Sequence, residues 1–343
     1  MSRAVLPSVT VVIPTYNRAG YLRRALDSVL SQSYSSLAIL VPDNASTDDT
    51  SAVVAGYADP RVRYLRRPEN IGWLSNFNES LKLVDTEYVT ILGDDDIMLP
   101  DSLARSTRIL EQYPNVGMVH SAFNIIGAED EVLTERADWT QGLTEDTLED
   151  GAEFIRRSML ASCRVCSPSS VMRSAALPAL VYDPADDPAA DFSLWLRMAL
   201  DWDLYFLVDP LINHRIHATS TSAGWGDVTA SGYLQGFGNI MNARATKLRF
   251  LENFADRLPD RERLRHDAYR AARWEFVDTV RGRTMPDRKL LSTVRLLGEA
   301  ARLDPRVFLE GYTWRLVGAA ALGPRIADRV KEHERPRTAR AAS

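Results

Sequence analysis

The sequence predicts an α/β fold with a mostly parallel central sheet flanked by helices, followed by an α-helical C-terminal extension. Short β-branched or apolar runs alternate with segments of helical spacing through the first half of the chain. Short loops between such segments are the mark of βαβ units and a parallel sheet. Val9–Ile13 is a continuous β-branched run, as expected of a strand buried on both faces of a parallel sheet. After about Gly226 the Gly and Pro punctuation thins and helix-period segments dominate to about Val330.

Val9–Ile13 is the first of these runs, and Tyr21, Leu22, Ala25, Leu26, Val29 and Leu30 then recur at helical spacing. Leu37–Val41 is a second strand, and Ser46 with Asp49 three residues on gives a capping-box signal before Ala52, Val53 and Val54. Arg61–Leu65 is a third strand; Leu74, Phe77, Leu81 and Val84 mark one face of the next helix, and Tyr88–Leu92 is a fourth strand. Pro100 opens a helix holding Leu103 and Leu110, with Val116–Ser121 as a fifth strand. From Asn124 the order loosens. Glu129–Asp150 holds a hairpin or a long loop, and Phe154–Leu160 is helical. Val171–Met172 and Leu204–Val208 are further strands, flanking an amphipathic helix over Phe192–Leu200.

At 343 residues the chain has room for one large domain and a smaller addition. The boundaries expected are 1–225 for the α/β domain, 226–334 for the helical region and 335–343 for a disordered, Arg-rich tail. A hydrophobic fraction of 45% with 25% charged residues belongs to a soluble globular protein, and a net charge of -5 gives no reason to expect nucleic acid as a partner. Val9–Ile13 stops at Pro14, and Leu316–Leu322 lies between Arg315 and Arg325; both are far too short for a leader or a membrane span. A cytoplasmic location follows as the expectation. Cys163 and Cys166 form a lone C-x-x-C without further zinc ligands nearby, and Pro168 with a serine run follows where a redox site would open a helix. They read as incidental cysteines in a reducing compartment.

Chemistry gathers in Ile91-Leu92-Gly93-Asp94-Asp95-Asp96, three carboxylates at the end of an apolar strand. Adjacent like charges need a compensating cation or full hydration, and strand C-termini of open α/β sheets are where ligands bind. A hard divalent ion with oxygen ligands, Mn²⁺ or Mg²⁺, would neutralise the cluster and bridge to a diphosphate; a solvated turn before Pro100 is the structural alternative. Asp43 follows the second strand, where its carboxylate could accept from a nucleobase N–H or a ribose hydroxyl, or close an Asx turn feeding Ser46. Asn70, Gly72, Trp73 and Asn76 sit where the third strand enters its helix. P-loop, dinucleotide G-x-G-x-x-G and G-x-S-x-G patterns are missing from the sequence, so those readings lose their support.

Four pieces in order, Thr10-Val-Val-Ile-Pro-Thr-Tyr-Asn-Arg18, Asp43-Asn-Ala-Ser-Thr-Asp48, Asn70-Ile-Gly-Trp-Leu-Ser-Asn76 and Asp94-Asp-Asp-Ile-Met-Leu-Pro100, resemble the family-2 glycosyltransferases of the GT-A fold over residues 8–222. The resemblance implies a GT-A domain that takes a nucleotide-sugar donor, UDP-sugar by default, and a hydroxyl acceptor such as a glycan, a lipid-linked sugar or a natural product. It implies that Pro14, Tyr16 and Arg18 line the nucleotide pocket with Asn70, Gly72, Trp73 and Asn76, and that Asp43 holds the base. Asp94 and Asp95 would face the nucleotide sugar, and Asp95 and Asp96 would match the family's metal-binding Asp-x-Asp element. Gly93 stands where that element's first Asp usually sits, which leaves open which carboxylate takes metal directly.

The family's catalytic base lies in Glu-Asp-x-x-Leu-x-x-Arg. Ala190-Asp191-Phe-Ser-Leu194-Trp-Leu-Arg197 fits with Ala190 in place of Glu, so the resemblance implies Asp191 as the base. Asp187 and Pro188 would supply its N-cap and first helical position, and a helix N-terminus favours the ionised carboxylate. Asp183, Asp186 and Asp187 are read as loop and cap residues. Arg215-Ile-His217 matches the family's Arg-x-His element, which makes His217 a metal or diphosphate ligand. His120, His214, His266 and His333 are read as structural; Trp139, Trp195, Trp202 and Trp225 are read as core more readily than as sugar-stacking residues.

The implied reaction is direct displacement with inversion at the anomeric carbon. Two alternatives differ in kind: a degenerate, non-catalytic nucleotide-sugar-binding module, favoured by Gly93 and Ala190, and a sugar-phosphate nucleotidyltransferase, opposed by the missing Gly-rich, Lys-containing loop. The helical region, with Arg244, Leu248, Leu251 and Phe254 on one face, is open to an acceptor-site role, a contact with a second copy or peripheral contact at the inner membrane face. Packing onto the first domain is the favoured reading.

Overall fold

The computed structural model describes residues 6–137, 142–160, 163–179, 181–187, 189–217 and 243–271. Trp139, Pro188, Trp225, His333, Leu316–Leu322, the expected tail at 335–343 and most of the expected helical region lie outside the described residues.

Four parallel strands form the first half of the sheet: β1 (Val9–Val12), β2 (Leu37–Asp43), β3 (Val62–Arg66) and β4 (Tyr88–Ile91), in the order β3-β2-β1-β4. Helices α1 (Ala19–Leu30), α2 (Thr50–Ala55) and α3 (Trp73–Leu81) connect them. β1, β2 and β4 are buried, with Val9, Val11, Val12, Leu40, Val41 and Val89 in the core, whereas the edge strand β3 alternates between half-buried and exposed residues. A short strand β5 (Ile97–Met98) and helix α4 (Ser102–Gln112) follow. Leu26 and Val29 of α1 and Leu103 and Leu110 of α4 join Val11, Val41 and Val119 in one core cluster.

The second half of the sheet is mixed. The fifth expected strand is the longer β6 (Val116–Ile126), and it does not pair with β4. The acidic stretch contributes β7 (Val132–Ala137), paired with β6, and β8 (Thr147–Glu149), which precedes α5 (Gly151–Leu160). β9 (Val171–Arg173) inserts antiparallel between β4 and β6. After α6 (Ala190–Met198), β10 (Asp203–Arg215) runs parallel to β6 and antiparallel to β5 and β8. Two antiparallel steps restore direction, so β6 and β10 point the same way as β1 to β4. The loops after all these strands therefore open on one rim.

One feature departs from the expected local chemistry. Ser46 does not cap α2, whose N-cap is Asp49 without a side-chain cap bond. The Ser46 hydroxyl instead donates to Asp43 Oδ1 at 2.6 Å and accepts from the Asn17 amide at 2.9 Å. It ties the β2 loop to the β1 loop.

The chain divides into two compact units: Met1–Phe154, Arg164–Pro184 and Leu194–Ser220 form one, and Ile155–Cys163, Ala185–Ser193 and Thr221–Ser343 the other. This division is interleaved: the segment carrying Asp191 groups with the later chain. Within that second unit residues 243–254 and 261–271 are helical, and Arg244, Leu248 and Leu251 are buried. Among the described residues no helix is long and apolar enough to cross a membrane.

Candidate active site

The rim at the strand C-termini collects the β1 loop, the β2 loop, the segment after β4 and the end of β10. Its densest point is a triangle of side chains. Asp95 Oδ2 lies 2.9 Å from His217 Nε2, and Arg18 Nη1 reaches both, at 3.1 Å and 2.7 Å respectively. These residues are far apart in the chain and meet only because β1, β4 and β10 end on the same side. Arg18 is the N-cap residue of α1, whose first amide is capped by Asp48 Oδ2 at 3.0 Å rather than by Arg18 itself. The guanidinium is thus left to the rim. Tyr21, in the first turn of α1, stacks on the His217 ring at 4.9 Å and carries the Arg215 guanidinium over its own ring at 5.0 Å. Sequence reasoning took Tyr21 for a helix-face residue only; its position three residues after Arg18, one helical turn, is the signal that was available.

The three adjacent carboxylates do different things. Asp96 is buried, and its Oδ1 accepts from the Arg215 amide at 2.9 Å and meets His214 Nδ1 at 3.0 Å. Burial by itself would depress His214, but the Asp96 carboxylate outweighs it and raises the imidazole above its ordinary value. Arg215 is also fully buried: it donates to Asp95 O at 2.7 Å, Gly127 O at 2.7 Å and Asp130 Oδ1 at 2.5 Å, so it locks the aspartate turn to the β6–β7 loop. Asp94 is neither paired nor braced in this way. Burial, then the neighbouring charge of Asp95, push it up to about 7 against the opposing pull of Thr15 and Arg18.

Gly93 has a local reason to be glycine. A Cβ there would meet Asp96 Oδ2 at 2.5 Å and Asp95 Oδ1 at 3.0 Å. An Asp at 93 would collide with the very carboxylates it is meant to assist, so the Gly at this place is coupled to Asp96 folding back toward the backbone.

The nucleotide-side residues form a cross-linked frame. Asp43 is fully buried, its Oδ1 taking the Ser46 amide (2.8 Å) and hydroxyl and its Oδ2 the Tyr64 hydroxyl. That is the Asx-turn role, and it leaves Asp43 little capacity for a base N–H. Asn44 Nδ2 donates to Asn70 Oδ1 at 2.8 Å, and Asn44 Oδ1 accepts from the Ile71 amide at 3.0 Å. Gly72, at φ +82, starts α3 from a backbone conformation that L side chains rarely adopt. Asn76 is buried and joins Pro42 O (3.0 Å) to Arg67 Nε (3.1 Å). Pro14 is half-buried, whereas Tyr16 and Trp73 are each 44% exposed. Trp73 meets Phe77 and Tyr182 edge-on, and Asn78 pins Tyr182 through both its backbone amide and carbonyl.

In the second unit Asp191 is the second residue of α6, and the amide of Phe192 donates to its Oδ1 at 2.7 Å. A helix start favours charge, yet burial dominates and pushes the carboxyl up to about 6. Asp186, close by in sequence, is buried and salt-bridged to Arg249 at 2.7 Å, which marks it as structural. His120 is buried beside Phe206 with its pKa pushed down to about 3 by burial and by Arg164, and Trp195 is buried.

Whether a divalent ion suits the rim can be judged from its donors. Asp95 Oδ2 and His217 Nε2 supply one hard oxygen and one imidazole, and 2.9 Å between them suits adjacent positions of an ion with bonds of about 2.1 Å. Among the described residues no three His, Cys, Asp or Glu side chains converge on one ion position. Two protein donors, with substrate phosphates to complete the shell, is a usual arrangement for such ions. The residues fit.

A family model described as Glycosyl transferase family 2 matches residues 10–166. The chain is 28% identical over 218 residues to an uncharacterised glycosyltransferase of Rickettsia prowazekii, covering 63% of this chain and 66% of the relative. It is 36% identical over 118 residues to the GalNAc(5)-diNAcBac-PP-undecaprenol beta-1,3-glucosyltransferase of Campylobacter jejuni, covering 34% and 37%. The chain spans about two thirds or less of the length of these relatives. Among solved structures it resembles the mannosyltransferase PcManGT of Pyrobaculum calidifontis, solved with GDP-Man and Mn²⁺, at a TM-score of 0.52 and 18% identity, covering 97% and 89%. It resembles S. aureus TarS 1–349 with UDP-GlcNAc at 0.52 and 15%, covering 88% and 92%. These likenesses show the fold, a GT-A α/β domain.

Proposed function

We propose, from the match of the Glycosyl transferase family 2 model to residues 10–166, that the chain moves a sugar from a nucleoside-diphosphate sugar to an acceptor hydroxyl with inversion. UDP-sugar is the favoured donor. The observation that carries the reading is the convergence of Asp95, His217 and Arg18 at the rim, an arrangement that unites a metal seat with a phosphate-binding cation. Asp95 and His217 are the protein ligands of a divalent ion, Mn²⁺ or Mg²⁺. Asp96 serves as their brace, since its carboxylate is buried on Arg215 and His214. When bound, the ion supplies positive charge that stabilises the departing diphosphate.

The chain's own groups do the rest. Arg18 donates to the diphosphate, and the frame of Asn44, Asn70, Gly72 and Asn76 shapes the nucleotide pocket with Pro14, Tyr16 and Trp73. Asp43 holds the turn on which that pocket is built. Asp191 takes the proton from the acceptor hydroxyl as its oxygen attacks the anomeric carbon. A carboxylate whose pKa is raised to about 6 stays ionised at neutral pH and is a stronger base than an ordinary aspartate. The acceptor class, glycan, lipid-linked sugar or natural product, belongs with this proposal, as does the location of the protein in the cytoplasm or at the inner membrane face.

The test is a panel of UDP-, GDP- and dTDP-sugars, incubated with the purified chain and sugar alcohols as acceptors. Release of nucleoside diphosphate, lost in EDTA and restored by Mn²⁺ or Mg²⁺, is the expected result. Pyrophosphate release would assign a nucleotidyltransferase, binding without turnover would assign a non-catalytic module, and full activity in chelator would remove the metal.

A further inference from the structure

Arg18 occupies the same two acceptor atoms that the proposed ion requires. Its Nη1 stands 2.7 Å from His217 Nε2 and 3.1 Å from Asp95 Oδ2, and those two atoms are themselves 2.9 Å apart. An imidazole nitrogen has one in-plane lone pair, which either accepts an N–H or binds a metal, but not both. The Asp95 oxygen has more acceptor capacity, yet a guanidinium and a doubly charged ion sharing one carboxylate oxygen repel each other strongly at this range. The seat is already neutralised by a cation that belongs to the chain.

The surroundings allow that cation to leave. The Arg18 side chain is 23% exposed, whereas Tyr21 holds the His217 ring in place by stacking. The Arg18 side chain makes no cap bond to α1, whose first amide is held by Asp48, so moving the guanidinium leaves the helix start intact. Its planar guanidinium needs an anionic partner elsewhere, and a diphosphate offers bidentate oxygens of the right geometry. From this we infer that Arg18 is a built-in counter-cation of the metal seat, displaced onto the diphosphate when the nucleotide arrives, so that metal and nucleotide bind with positive coupling. The inference rests on the metal reading above and adds a regulation to it: divalent metal binds weakly alone and tightly only in company with nucleotide.

The measurement is Mn²⁺ uptake, read from the loss of the free-ion electron paramagnetic resonance signal, with UDP or GDP absent or present. Wild type should bind Mn²⁺ at least about fivefold more tightly when nucleotide is present, and Mn²⁺ should tighten nucleotide binding by the same factor, as reciprocity demands. Arg18→Ala and the uncharged Arg18→Gln should bind Mn²⁺ several-fold more tightly than wild type in the absence of nucleotide, with the coupling factor falling below the wild-type value. If both Arg18 variants bind Mn²⁺ no better than wild type without nucleotide, the displacement is wrong. Asp95→Asn and His217→Ala separate the two failures. If they abolish uptake while the Arg18 variants show no gain, the seat stands and only the displacement falls. If they leave uptake unchanged, the seat itself falls, and the displacement with it.

Discussion

Two carboxylate regions of this molecule meet the same difficulty, negative charge away from bulk water, in opposite ways. At the sheet rim, Asp95 and Asp96 are surrounded by cations and donors: Arg18, the Arg215 amide and His214. In the second unit, among the described residues, Asp191 has only backbone amides for company, its own and that of Phe192, and burial pushes its pKa up to about 6. A carboxylate wrapped in positive charge is suited to holding charge, whether an ion or a diphosphate; one starved of it is suited to accepting a proton. The contrast supports the roles proposed for them, which residue type alone does not distinguish.

Asp191→Asn should break the comparison most sharply. Removing a general base costs about 10²- to 10⁴-fold in kcat, and the nucleotide affinity, measured calorimetrically, should stay within a few fold. Stability should move the other way. With a folded pKa of about 6 and an unfolded value near 3.8, the aspartate is unfavourable to the fold once it ionises, and stability is lost as pH rises from about 4 to about 6. The Asn variant should therefore be more stable than wild type at pH 7.5, by on the order of 1–3 kcal/mol, and equal to it near pH 3.5. The same pKa sets the activity profile: kcat/KM should fall about tenfold per unit below pH 6 as the base protonates. An Asn variant that loses nucleotide affinity together with activity, and that melts lower, would make Asp191 a structural residue.

The second break lies inside the rim cluster. Asp95→Asn should abolish Mn²⁺ binding with little change in melting temperature. Asp96→Ala strands the buried Arg215 amide and frees His214, at about 1–3 kcal/mol for the unsatisfied amide alone. It should lower the melting temperature by several degrees and weaken metal binding only indirectly. Equal losses of metal affinity with no difference in stability would mean that both carboxylates bind the ion.

This division between neighbours shows where the sequence stops being informative. Strands β1, β2 and β4 are legible because each is a largely apolar run, and strand ends in a parallel sheet lie on one rim whatever the loops do. The Asp-rich turn is legible for the same reason. Which way each aspartate points is not, because three adjacent carboxylates are chemically identical in one dimension, and the turn at Gly93 decides their directions. Asp43 is a related case: the same residue at the same strand end can serve a ligand or its own loop, and the fully buried carboxylate serves Ser46 and Tyr64. The second half of the sheet is harder still. β9 is three residues long and inserts antiparallel between β4 and β6, a non-local pairing that leaves no periodicity to read. His217 is singled out by its motif, but its partnership with Arg18 depends on every strand between them.

The smallest effect belongs to Tyr21, and it tests whether the rim is preorganised. Its ring touches the proposed metal ligand His217 by stacking and carries the Arg215 guanidinium as well. Tyr21→Leu keeps a comparable apolar bulk in the first turn of α1 but removes the flat surface. With no other change to the donors, the His217 ring gains rotational freedom, and Mn²⁺ affinity in the presence of nucleotide should fall by roughly 3- to 10-fold, within the lower range for loss of a residue that orients a metal ligand. Tyr21→Phe, which keeps the ring and loses only the hydroxyl, should restore wild-type affinity. Rescue by Phe but not by Leu identifies stacking as the cause; equal affinity in all three proteins would mean that stacking on Tyr21 does not hold His217 in place.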